Sequence, residues 1–254
     1  MVTRFRLPVW ATVAGAYADA ARDADALARL AFGPVLALSL MVALAHLLPW
    51  PSGPSAALFL VAQLLLGVIF ASACQRRLLV GGEPDSVMAA LAWQRRHWIY
   101  LRATLLVLAV TIAGSTAAGM ALVAAAGGAL SASAGALLAP PCLVASIYVS
   151  SRLSIMLPAA AVDAPARPAD GWRLTQGNGW RLALVNLIAA LPLAFANAGA
   201  VVLLEQLREG FALTESATAA FLGALAINAV SFAGLGVSAL ALALAYRGLI
   251  AARG

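Results

Sequence analysis

The sequence predicts an all-α, polytopic membrane protein with six transmembrane helices, and three observations carry that reading. Apolar residues make up 63% of the 254-residue chain and charged residues only 10%, against roughly 45–50% and about 25% in a soluble domain. The mean hydropathy is +0.95. A soluble fold of this size needs polar residues to cover its outside, and here there are too few, so lipid must be the solvent for much of the surface. Apolar stretches of spanning length recur along the chain, and its charges collect in alternate loops. Alternating hydrophobicity of the barrel type is absent, so the spans are helical.

A helix needs about 20 apolar residues to cross roughly 30 Å of hydrocarbon. Six segments qualify: 31–49, 55–74, 103–126, 130–151, 182–204 and 217–246. "PWPSGPS" follows the first span without a charge, and "GGALSAS" joins the third and fourth, also uncharged. The loop after the second span holds Arg76, Arg77, Arg95, Arg96 and Arg102, and the loop after the fourth holds Arg152, Arg167, Arg173 and Arg181. Arg4, Arg6, Arg22 and Arg29 precede the first span, and Arg247 and Arg253 follow the last. Only Arg208 falls on the other side. The positive-inside rule then puts both termini and the two long loops in the cytoplasm, and the protein in a bacterial cytoplasmic (inner) membrane.

The net charge of +6 comes from 16 basic residues, all of them arginine. In a soluble protein it would suggest nucleic acid; in this chain it sorts by membrane side, and no nucleic-acid partner is expected. Cys74 and Cys142 lie far apart with no Cys-x-x-Cys or Cys/His spacing, so they read as small buried hydrophobes, not metal ligands. The opening "MVTRFRLPVWATVAGAYADA" imitates a signal peptide, but its apolar part is short and broken by Pro8, and the expectation is a retained segment.

Each pair of spans is preceded by a short amphipathic or aromatic-basic segment. Over 8–28, Trp10, Val13, Tyr17, Ala20, Ala24 and Leu27 recur at three- and four-residue steps, the pattern of an interfacial helix. Over 84–100, Pro84 opens a stripe of Val87, Met88 and Leu91, and Trp93 and Trp98 flank Arg95, Arg96 and His97. Over 165–180, Trp172-Arg173 and Trp180-Arg181 bracket Gly177-Asn178-Gly179. Trp10, Trp93 and Trp172 stand about eighty residues apart, which suggests three tandem units of interfacial helix plus two-helix hairpin. Tryptophan favours the headgroup zone and arginine favours anionic lipid. Trp93, Arg95, Arg96, Trp98, Trp172, Arg173, Trp180 and Arg181 are therefore the expected interfacial anchors, with the bilayer and its anionic phospholipids as partners. The Gly-Asn-Gly turn lacks the preceding strand and third glycine of a phosphate loop and reads as a helix joint.

The stretch "YVSSRLSIMLPAAAVDAPARPADGWRLTQGNGWRL", residues 148–182, resembles an uncharacterised family of bacterial inner-membrane proteins, similar to the membrane domain attached to some glycerophosphodiester phosphodiesterases. Arg152-Leu153, Leu157-Pro158, Trp172-Arg173-Leu174-Thr175 and Gly177-Asn178 carry the likeness. It implies a membrane location and a six-span plan, and supplies no catalytic residue.

No ionisable group falls near the middle of a span. His46 and Glu205 lie at span ends, Arg152 is expected to snorkel from the inner end of span four, and His97 reads as an interface residue. The deeper polar residues are Gln63, Thr111, Ser115, Thr116, Asn186, Asn197, Asn228 and Ser231, whose ordinary role is hydrogen bonding between helices. Gln63, Asn186, Asn197 and Asn228 are the candidates for packing or, alternatively, for a polar pathway. Gly114, Gly119, Gly223, Gly234 and Gly236 permit close helix approach, and Pro140-Pro141 and Pro192 would bend spans four and five. No Asp, Glu, His or Cys grouping is spaced for catalysis, so the expectation is a protein that is not an enzyme, without cofactor or metal. The leading expectation is an accessory, assembly or scaffold subunit that packs against other integral membrane subunits; the alternative is a small-solute or lipid transporter.

Overall fold

The computed structural model describes residues 6–48, 52–81, 93–127, 132–210 and 216–253. The described residues contain no strand and run as α1 (Val9–Arg22), α2 (Ala24–Leu47), α3 (Ser52–Val80), α4 (Arg95–Ala126), α5 (Ala132–Ser154), α6 (Met156–Ala161), α7 (Pro168–Leu174), α8 (Gly179–Gly210) and α9 (Ala217–Ala251). Six helical stretches are long and apolar enough to span a membrane: Ala24–Leu47, Gly53–Val80, Arg95–Ala126, Leu137–Ala161, Gly179–Gln206 and Ala217–Ala251. They pack as three hairpins, α2–α3, α4–α5 and α8–α9, with α9 also against α1, α2 and α3.

Three boundaries differ from those the sequence suggests. The segment over 8–28 breaks at Asp23, where α1 gives way to α2, and the Asp23 carboxylate accepts from Arg77 Nε at 3.1 Å. Helix α1 packs on α8 and α9: Val13 and Ala16 are buried, Trp10 points away, and Tyr17 donates its hydroxyl to the Ala189 carbonyl at 3.0 Å. Burial raises the pKa of that phenol, which keeps it a donor. The aromatic-basic stretch from Arg95 is the opening of α4 itself, while Pro84, Val87, Met88 and Leu91 lie outside the described residues. The fourth span continues past Arg152, through a turn at Ile155, to Ala161. Helix α5 runs through Pro140 and Pro141, and α8 through Pro192, without interruption.

The core is not spread evenly along the bundle. Buried positions of α3 lie between Val68 and Gln75, those of α8 between Gly179 and Ala189, and those of α9 between Asn228 and Leu249. In α4 they fall between His97 and Ala103, with Ala118 alone further along. One apolar cluster joins Leu7, Val13 and Ala16 to Ile155, Leu182, Val185 and the end of α9. A second joins Val35 and Leu38 to Phe70, Cys74, Tyr100 and Phe232, where the Phe70 and Phe232 rings meet edge to face at 5.2 Å. Both clusters belong to the arginine-bearing half, and the other half exposes its apolar side chains. Over their most apolar stretches only 6% of the residues of α4 and of α8 are buried.

Within the membrane region polar contacts cross between helices. Asn228 donates to Ser39 Oγ at 3.2 Å (α9 to α2), Asn186 to Ser154 Oγ at 3.1 Å (α8 to α5), and Ser231 to Asn197 Oδ1 at 3.3 Å (α9 to α8). Helices α4 and α5 meet at Gly114, where Ser146 Oγ donates to the Val110 carbonyl at 3.3 Å. A Cβ on Gly114 would stand 2.2 Å from Ser146 Cβ, so only glycine allows this approach.

Candidate functional site

Tyr148, Trp172 and Thr175 converge on Arg152, and Trp180 packs behind Tyr148. Its side chain is 7% exposed and has no carboxylate within salt-bridge distance among the described residues. Nε donates to Thr175 Oγ1 at 2.9 Å, Nη1 to Tyr148 Oη at 3.3 Å, and Nη2 to the Trp172 carbonyl. The guanidinium lies over the Trp172 ring at 3.6 Å from its centroid, with the Tyr148 ring at 5.6 Å. Desolvating an arginine is costly, and neutral acceptors plus two π faces offset that cost here. The expectation that Arg152 snorkels to water is therefore corrected. Helix α7 and the turn after it fold back over the α5 terminus and close the route outward.

The turn itself is a joint. Gly177 adopts φ +81°, the left-handed geometry that ends α7's trailing turn and admits α8. Asn178 Oδ1 accepts from the Leu7 N–H at 2.8 Å, and Arg181 Nη1 donates to the Leu7 carbonyl at 3.0 Å, so Leu7 is held through both of its backbone polar groups. A Cβ on Gly179 would sit 2.7 Å from the Tyr148 ring. Tyr148 in turn stacks at a tilt on Trp180, 4.7 Å between centroids, and meets Trp172 edge-on at 6.4 Å. Trp172 and Trp180 keep 42% and 57% of their surface exposed, which leaves each ring one face for the cluster and one for the surroundings.

The other anchors form a separate group at the start of α4. Trp98 and Arg95 are exposed and Arg96 is half-buried. Trp93 packs against Trp98 at 5.3 Å and against His97 at 5.4 Å, and its buried indole N–H has no partner among the described residues. His97 is buried rather than interfacial: its Nδ1 accepts from the Gln94 N–H at 3.0 Å and closes the helix N-terminus as a capping box. Arg173 is exposed, and its carbonyl accepts from Arg253. Of the intramembrane amides, Asn186, Asn197 and Asn228 are bonded to neighbouring helices as described above. Gln63 is exposed on α3 and makes no hydrogen bond to a described residue.

Sequence reasoning missed the segment from Ser151 to Ala161, which is buried almost throughout. It also missed Gln75, whose fully buried amide has no hydrogen-bond partner among the described residues. The apolar run Leu153–Val162 was a usable signal for the first; Arg152 disguised it as a span end. Ion pairs fasten the remaining loops at the same end: Arg76 to Asp163 at 3.1 Å, with a further bond from Arg76 to the Ala161 carbonyl, and Arg77 to Asp23. Comparison with known protein families, curated proteins and solved structures finds no match.

Proposed function

We propose that this six-span protein is a non-catalytic subunit of a membrane assembly, set in a bacterial cytoplasmic membrane with its arginine-rich end and both termini in the cytoplasm. Gln63 carries the reading. It lies on α3, a span of mean hydropathy 2.4, eleven residues after the helix start at Ser52, about 16 Å along the axis. Its amide is exposed there with no hydrogen bond inside the described chain. An amide left unpaired in hydrocarbon costs several kcal/mol, and a polar group from another spanning helix relieves that cost. The nearby exposed side chains Leu60 and Val61 are apolar and suited to such a neighbour. Lipids and other integral membrane subunits are the partners this implies.

The transporter alternative draws on Asn186, Asn197 and Asn228, and each of these already bonds an adjacent helix, which favours packing. Extraction in mild detergent followed by native mass measurement tests the proposal. A complex larger than one chain that dissociates on Gln63→Leu substitution is expected; a lone monomer from native membranes, unchanged by the substitution, would overturn it.

A further inference from the structure

At the arginine-rich end, α6, α7 and the end of α9 enclose a cleft of about 440 Å³. Its floor is apolar, built from Ile155, Met156 and Tyr246. Its rim carries Arg167, Arg173 and Arg253 against one acid, Asp170. None of the three arginines has a carboxylate within 4.0 Å among the described residues, whereas Arg22, Arg29, Arg76 and Arg77 elsewhere at this end all do. The rim thus sets three arginines against a single acid, with no direct ion pair to neutralise them among the described residues. Arg253 is also fixed in place, since its guanidinium donates to the Arg173 carbonyl and so draws the chain's end against α7.

We infer that this cleft is a binding site for an anionic phospholipid, with the phosphate held by the rim arginines and the glycerol and first acyl carbons on the floor. Guanidinium forks match phosphate oxygens in geometry and charge, and an apolar floor beneath a few convergent polar groups is the usual make-up of a small-ligand pocket. A free phosphate would use the rim alone and leave the floor wet; the amphiphile uses both. Trp172, between the lining residues Gly171 and Arg173 on α7 though not itself lining the cleft, is half-exposed and of a type suited to the headgroup zone. The site is independent of the Gln63 face and of whether a partner subunit exists.

The test uses the full chain in a nonionic detergent and water-soluble short-chain phosphatidylglycerol, with short-chain phosphatidylcholine and inorganic phosphate as comparisons. Phosphatidylglycerol should bind in preference to phosphatidylcholine, and inorganic phosphate at equal concentration should fail to displace it. Arg167→Gln with Arg253→Gln should weaken phosphatidylglycerol binding by about tenfold. Asp170→Asn, which removes the only rim acid, should tighten it by about two- to fivefold. Arg29→Gln, at the same end but outside the cleft, should leave it unchanged. The gain from Asp170→Asn cannot arise from unfolding, so it guards against misreading a loss. Equal binding of the two lipids, full competition by inorganic phosphate, or equal losses from Arg29→Gln and the rim substitutions would each overturn the inference.

Discussion

Arg152 brings a positive charge into a site lined by neutral groups, so its stability rests on geometry that lysine cannot copy. The planar guanidinium stacks on Trp172 and divides its N–H groups among Thr175, Tyr148 and the Trp172 carbonyl. Thr175→Val keeps the shape and removes the Nε acceptor. It should lower unfolding free energy by about 1–3 kcal/mol, read as a lower midpoint in detergent thermal melts. Arg152→Lys should fail to restore a melt lowered by Arg152→Met; full rescue by lysine would mean the charge alone matters. The exposed faces of Trp172 and Trp180 were legible in the sequence from residue type. Arg152's burial was not, because its covering groups lie about twenty residues later and nothing local announces that the chain returns. His97 was misread for a related reason: its partner is the backbone N–H of Gln94, and backbone donors leave no trace in residue pattern.

Among elements, the hairpins depend on where backbones come close. Gly114 and Gly119 sit on the same helix and look alike in sequence, yet only a Cβ at Gly114 would meet Ser146, and a Cβ at Gly119 would meet nothing within 4 Å. Gly114→Ala should therefore destabilise the α4–α5 hairpin by about 1–3 kcal/mol, while Gly119→Ala should be neutral or slightly stabilising. Gly179→Ala should behave like Gly114→Ala, because Tyr148 is pinned between Arg152 and Trp180. Differential scanning of the three variants in one detergent separates these outcomes. The spans were readable because twenty apolar residues have few other uses. Their junctions were less so: α1 stops at Asp23, where an ion pair to Arg77 fixes the bend, and α6 follows α5 through a single non-helical residue. Both are decided by contacts distant in sequence.

Across the whole molecule the arginine-rich half holds the packed core and the opposite half presents apolar side chains outward. Composition cannot forecast this asymmetry, since leucine, valine and alanine serve a lipid-facing surface and a helix contact equally well. The buried N–H, C=O and guanidinium contacts also collect at the packed end, in the Leu7–Asn178–Arg181 clasp and the Arg152 cluster. Amide hydrogen exchange should consequently be slow in Leu182–Ala189 and Val237–Leu249, and their protection should collapse together when the clasp is cut by Asn178→Ala.

The proposed topology is a chain that crosses the membrane six times and keeps all its arginines but Arg208 on one side. Single cysteines placed in a background with Cys74 and Cys142 replaced by alanine measure that directly, through labelling of intact cells by a membrane-impermeant maleimide. Gly53→Cys and Gly127→Cys should react from outside, and Gln176→Cys and Ala252→Cys only after lysis. Labelling of positions 127 and 176 from the same side would contradict the account.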